Sequence, residues 1–220
     1  MDTHVVSGRT CFFDLVPDSS CCLIEAVEGR EDLDKEVGLI RKLTARSFSL
    51  AAFCVQKWND ELSPWPAPPA FGNVPFGGGA KETLSWTCQS LLPFLKEQTG
   101  ADVFGLGGYS LAGLFALWAG YESDAFSCIM AASPSVWYPK FLEYAQSKPP
   151  RFHSVYLSLG NREEKTRNRM MAPVGDCIRT LEDRYQSQGL GTVLEWNEGG
   201  HFAPSEERCA KGWAWLLEHT

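Results

Sequence analysis

Ser110, His201 and the acidic pair Glu163 and Glu164 are the residues whose types and surroundings could do chemistry together. Ser110 stands in Gly107-Gly108-Tyr109-Ser110-Leu111-Ala112-Gly113, between a stretch with strand character and a run from Leu111 whose apolar residues recur at helical spacing. On so tight a turn, with glycines where backbone must pass close, a serine hydroxyl is lifted off the sheet edge and the N–H groups after it point outward. A serine hydroxyl is a poor nucleophile at neutral pH and requires a base, for which an imidazole is the natural choice. His201 is suitably placed on the glycine-flanked loop Gly199-Gly200-His201, whereas His4 lies in the N-terminal tail, His153 enters a strand and His219 is penultimate. The imidazole in turn needs a carboxylate to hold its tautomer. Glu163, three residues after Gly160, is preferred for that role, with Glu164 its rival; either could instead be a solvated charge among Arg162, Lys165 and Arg167. The chemistry indicated is acyl transfer through a serine.

Acyl transfer also needs N–H donors for the developing oxyanion. Leu111 N–H, directly after the serine, is one; the second is expected from the turn Glu28-Gly29-Arg30, with Gly29 and Arg30 as candidates, although no HGGG-type run marks it. Trp58, Trp65, Tyr109 and Trp137 are expected to line an aromatic pocket beside the serine, which suits a small or aromatic ester as substrate. The serine motif departs from G-x-S-x-G at its last position, where Ala112 stands and Gly113 follows one residue late. Two bland readings therefore stay open. Ser110 could merely cap the following helix, and a chain with this fold could be a non-catalytic binding or scaffold protein. A thioesterase or peptidase would use the same three residues.

The elements that must position these side chains alternate along the chain. Thr10 to Val16 and Cys21 to Val27 read as strands that could make a hairpin over Pro17-Asp18-Ser19-Ser20. Asp32 is placed to cap a helix over Leu33 to Leu43, and Ser47 to Val55 is a third strand, so that strand, helix and strand imply a parallel pair. Residues 57–79, rich in Pro, Gly and Trp, form a long loop whose large rings argue for a packed lid. A helix over Lys81 to Gln98 is interrupted by Pro93. Then come the strand and helix around Ser110, strands over Phe126 to Ala132, Ser154 to Leu159 and Thr192 to Asn197, and helices over Phe141 to Ala145, Met170 to Gln188 and Ser205 to His219. This alternation gives an α/β chain with a mostly parallel sheet. Loops beyond the carboxyl ends of parallel strands converge on one face. The chain order Ser, acid, His on such loops is that of the α/β-hydrolase fold.

The sequence has 220 residues, which suits one domain, 1–220, and a formal net charge of −7, which disfavours nucleic acid as a partner. No apolar run approaches a membrane span and the N-terminus lacks the order of a signal peptide, so a cytoplasmic protein is expected. The eight cysteines are scattered and make no C-x-x-C, which favours reduced, buried thiols over a metal site; no metal and no cofactor are expected. Gly105-Leu106-Gly107-Gly108-Tyr109-Ser110 approaches a dinucleotide fingerprint but puts Ser110 where its last glycine belongs.

GGYSLAGLFALW, the segment WNDELSPWPAP with its trailing FGGGA, the loop GNREEKTRN and the GGHF ending together resemble bacterial esterases of the α/β-hydrolase superfamily, and are similar to the esterase D and enterochelin-esterase group. The resemblance covers most of the chain from about Cys21 onward. It implies Ser110 as nucleophile, His201 as base, Glu163 as acid, and a lid shaping the acyl or alcohol pocket. It implies a reaction type rather than a particular ester.

Overall fold

The computed structural model describes residues 1–202 and 204–219. Among these residues the strands are β1 (Asp2–Val6), β2 (Arg9–Asp14), β3 (Cys21–Val27), β4 (Ser49–Cys54), β5 (Val103–Tyr109), β6 (Cys128–Ala132), β7 (Ser154–Gly160) and β8 (Gly191–Asn197). The helices are α1 (Leu33–Leu43), α2 (Trp58–Glu61), α3 (Ala80–Trp86), α4 (Leu92–Thr99), α5 (Leu111–Glu122), α6 (Phe141–Ser147), α7 (Val174–Ser187) and α8 (Ser205–His219). The strands form one sheet in the order β1-β2-β4-β3-β5-β6-β7-β8. It is parallel from β4 to β8, and β1 and β2 run antiparallel at one edge.

Helices cover both faces, as a sheet with such apolar strands requires. On β3, Cys22, Ile24 and Ala26 pack with α4 and α5, whereas Leu23 turns to the other face, where Val37 and Ile40 of α1 meet Trp213 and Leu216 of α8. α5 is buried along nearly its whole length, with Glu122 its exception, which explains why its sequence is apolar all round rather than striped. Gly105 and Gly107 of β5 leave room for Trp213, whose ring would lie 2.9 and 2.5 Å from a Cβ at those positions. Their absence of side chains therefore seats α8 against the central strand.

Two expectations fail at the sheet edge. No hairpin joins Thr10–Val16 to Cys21–Val27, and the N-terminal residues are no tail. β1 occupies them, pairs with β2 through a turn with Ser7 and Gly8 at φ 44° and 85°, and β2 continues onto β4. β3 instead lies between β4 and β5. Its five central residues are all buried, so it needs neighbours on both sides, and local turn residues do not reveal which. The 81–98 helix is also divided: a π turn over Thr87–Leu91 separates α3 from α4. Pro93 falls in the first turn of α4, and the wider turn before it accommodates the missing N–H. Asp32 does precede α1, but at φ 69° and without a side-chain cap. Cys11, Cys21, Cys22, Cys54, Cys88, Cys177 and Cys209 are free thiols, and among the described residues no helix is long and apolar enough to cross a membrane.

Candidate active site

The carboxyl end of β5 delivers Ser110 to the sheet edge. Ser110 has φ 60° and ψ −120°, a conformation that L-residues rarely adopt and that costs about 1–3 kcal/mol. Three backbone bonds hold it there: Ser110 N–H donates to Ala132 O at 3.0 Å, and Ser110 O accepts from Leu114 N–H and Ser135 N–H at 3.1 and 3.0 Å. The departure at Ala112 is accommodated by its neighbour. A Cβ on Gly108 would stand 2.5 Å from Ala112 Cβ, so the motif's first glycine, which is kept, leaves the room that the alanine at its last position needs, and a Cβ on Gly113 would stand 2.9 Å from Gly108 O. Ser110 precedes α5 without using its hydroxyl as a cap, leaving the oxygen free for other work.

That oxygen meets the loop after β8. Ser110 Oγ lies 2.9 Å from His201 Nε2, and His201 Nδ1 lies 2.8 Å from Glu163 Oε2. With the proton on Nδ1, the ring donates to the carboxylate and accepts from the serine. Glu163 enters from the turn after β7, where a Cβ on Gly160 would stand 2.5 Å from Gly199 O, so only a glycine lets the acid and histidine loops approach. Glu164 faces elsewhere, pairing with Arg179 on α7 at 2.9 Å.

The second carboxylate oxygen, Glu163 Oε1, accepts from Ser133 Oγ–H at 2.7 Å, Gly160 N–H at 2.8 Å and Arg208 Nη1 at 2.8 Å. Burial alone would raise this carboxyl, but the hydrogen bonds from His201, Ser133 and Gly160 outweigh it and hold Glu163 below its ordinary value. Arg208 is 3 % exposed and also donates to Ser133 Oγ, Tyr109 Oη and Gly200 O. Tyr109 completes the frame by donating to His201 O at 2.7 Å; burial pushes its hydroxyl up to about 12, so it stays a donor. Sequence reading did not single out Ser133 or Arg208. Nothing local marks Arg208 apart from Glu207 or Lys211 on the same helix, and only the docking of α8 turns it inward.

These residues open into a cleft of about 1180 Å³. Trp58, Tyr109 and Trp137 line it, together with Phe71, Phe76 and Met171, which sequence reading left out. Trp65 does not. Its Nε1–H donates to Pro139 O at 2.9 Å and its ring packs on Tyr138 and Tyr144, so it fastens the 57–79 segment to the body of the protein. Asn168 ties the same segment at Ala70 O, and Ser63 Oγ accepts from Gly78 N–H. The segment is thus packed, carrying the short α2 and a bridge between Ala67 and Phe76. Leu111 and Gly29 border the cleft; Arg30 does not, and its side chain pairs with Asp34 on α1. α5 begins at Leu111, directly after Ser110, and a helix N-terminus favours negative charge. On another wall of the cleft, Glu25 and Glu36 are both pushed up by burial, Glu36 further by the neighbouring Glu25.

No family model and no curated relative matches the chain. Solved structures do. An IroE-like serine hydrolase from Shewanella oneidensis superposes with a TM-score of 0.78 at 17% identity, over 96% of this chain and 76% of that one. The siderophore hydrolase EstB from Aspergillus nidulans gives 0.73 at 17% identity, over 99% and 93%. The enterobactin esterase FES from Shigella flexneri gives 0.71 at 16% identity, over 96% of this chain and 56% of its own. At such identities the likeness shows the fold, and the fold is that of an α/β-hydrolase.

Proposed function

We propose that this α/β-hydrolase-fold protein is a serine hydrolase that cleaves carboxylic esters through an acyl-enzyme on Ser110. The observation that carries the reading is the unbroken relay Ser110–His201–Glu163, with contacts of 2.9 and 2.8 Å, at the wall of an aromatic-lined cleft. Ser110 Oγ attacks the ester carbonyl while His201 Nε2 takes its proton. Glu163 holds the ring tautomer and stabilises the imidazolium that forms, and Arg208 and Ser133 hold Glu163. Leu111 N–H, at the head of α5, receives the oxyanion, with the Gly29 turn as the source of a second donor. His201 then returns the proton to the leaving alcohol, and water, activated by the same histidine, releases the acid. Trp58 and Trp137 suit a small or aromatic acyl or alcohol group. The names of the similar structures, hydrolases and esterases, agree with this reaction class.

The test is labelling with a fluorophosphonate probe followed by peptide mapping, alongside a panel of aryl and alkyl esters and thioesters. Modification at Ser110 that is absent in Ser110→Ala and slowed in His201→Ala, with ester turnover lost in parallel, is the expected result. A folded protein that neither labels nor turns over any member of the panel would move the assignment to a ligand-binding role for the cleft.

A further inference from the structure

Glu25 on β3, Glu36 on α1 and Cys209 on α8 form a second cluster that the acyl-transfer chemistry does not use. All three are buried, at 3, 5 and 3% exposure, and one carboxylate oxygen from each glutamate and the Cys209 sulfur lie within 4.8 Å of one another. Each stands where its element would place an apolar residue. Glu25 follows Leu23 at the strand period, on the face that packs against α1 and α8, and Glu36 belongs to the buried row Leu33, Glu36, Val37, Ile40. Burying two carboxyls in a core is costly unless something satisfies them.

The protein's own groups satisfy them only in part. Trp213 Nε1–H donates to Glu25 Oε1. Glu36 shares a side-chain hydrogen bond with Glu25, but its Oε1 is sealed from solvent and meets no donor from the rest of the protein. The nearby cations are committed elsewhere, Lys35 to Glu206 and Arg208 to Glu163. All three side chains nevertheless border the cleft, which gives a small solute a way in. An unanswered buried oxygen, a second carboxylate and a thiol converging from three separate elements form a donor set for a metal ion. A sulfur ligand disfavours Mg²⁺ and Ca²⁺, whereas Zn²⁺ takes carboxylate oxygen at about 2.0–2.2 Å and thiolate at about 2.3 Å.

We propose that Glu25, Glu36 and Cys209 form a binding site for a thiophilic divalent cation of the Zn²⁺ class, with its remaining coordination position facing the cleft. Binding is a ligand exchange: the ion gives up water, Cys209 and the proton-bearing carboxyl of the glutamate pair give their protons to solvent, and no oxidation state changes. The glutamate side chains close on the ion by rotation about their own bonds. The scattered cysteines hide such a site from sequence reading, because a single cysteine joins two glutamates that are themselves eleven positions apart. The proposal does not depend on the hydrolase assignment.

The full-length protein is titrated with Co²⁺, a spectroscopic stand-in for Zn²⁺, and Zn²⁺ affinity is read by competition with a chromogenic chelator. The expected result is a thiolate-to-cobalt charge-transfer band in the near ultraviolet that saturates at one ion per chain and is abolished by added Zn²⁺. Cys209→Ser removes the band, Glu36→Gln weakens Zn²⁺ binding by about tenfold or more, and Cys88→Ser, a half-buried cysteine outside the cluster, changes neither. Circular dichroism on each variant verifies folding, and Cys209→Ala and Glu25→Gln replace any variant that does not fold. Absence of the band, its survival in the folded Cys209 variants, or binding of Ca²⁺ or Mg²⁺ in preference to Zn²⁺ would overturn the proposal.

Discussion

Replacing Glu163 by Gln separates the two adjacent glutamates and probes the relay through one atom change. In Glu163→Gln the amide oxygen can still accept from Ser133, Gly160 and Arg208, the three donors that now meet Oε1. The amide nitrogen then faces His201 Nδ1, where two N–H groups cannot both donate. The ring must take the other tautomer, which puts a proton on Nε2, opposite the serine hydroxyl, and leaves Ser110 without a base. The expected loss in kcat is about 10⁴-fold, the size seen when a triad carboxylate becomes an amide. The same change leaves the buried Arg208 facing a neutral partner, at a cost of about 3 kcal/mol. In a chain of this length that lowers Tm by roughly 6–12 °C. Glu164→Gln removes an exposed pair with Arg179, 44% exposed, so it costs less than about 1 kcal/mol and leaves kcat within about twofold. Ester turnover and thermal melts of both variants give the comparison. Because the folded protein holds Glu163 below its ordinary value, the stability gap between wild type and Glu163→Gln is full at neutral pH. It shrinks as pH falls below the unfolded carboxyl value near 4.5 and is lost as pH passes the lower folded value. A Glu163→Gln protein keeping more than about a tenth of wild-type kcat, or an equal loss in Glu164→Gln, would refute this account of the relay.

The strained elbow gives a second prediction: Ser110→Gly, which relieves φ 60°, ψ −120°, raises stability by about 1 kcal/mol in denaturant melts while abolishing turnover, whereas Ser110→Ala melts like wild type. Gly108→Ala, whose Cβ would meet Ala112 at 2.5 Å, costs about 1–3 kcal/mol and most of the activity, and the double variant Gly108→Ala/Ala112→Gly recovers part of both; no recovery in the double variant would contradict the direct contact between the two positions. The tryptophans divide by role. Trp65→Ala lowers stability by about 2–3 kcal/mol because it loses the Pro139 bond and its ring packing, while Trp137→Ala, on the cleft wall, raises KM for aryl esters more than it lowers the melt. Arg208→Met, which removes one of the three donors to Glu163 Oε1 and the Arg208 donor to Gly200 O, lowers both Tm and kcat, although Arg208 does not touch Ser110, and Arg208→Lys restores part of each.

Much of this protein is legible in its sequence because the signals are local. The turn around Ser110 announces itself through Gly108 and Gly113, whose nearest contacts are with Ala112 and Gly108 O a few positions away, and the helix from Ser205 to His219 follows from its apolar period. The alternation of strands and helices fixes a mostly parallel sheet, and a parallel sheet brings loops at its carboxyl ends together, so Ser110, Glu163 and His201 could be proposed as neighbours across 91 positions of chain. What the sequence could not decide depends on which elements become neighbours. β3 looks the same in sequence whether it pairs with β2 or lies between β4 and β5, and only the need to bury both its faces resolves the order. Trp65 and Trp137 read alike, yet one meets Pro139 O and the other a cleft, because the path of the 57–79 segment is set by packing rather than by composition. Arg208, Ser133 and the Glu25–Glu36–Cys209 cluster lie on elements that touch only after the sheet is covered. The residue types are written in the chain, but distances between atoms on different elements are fixed by the packing of the core, and it is those distances that separate a relay from three unrelated polar side chains.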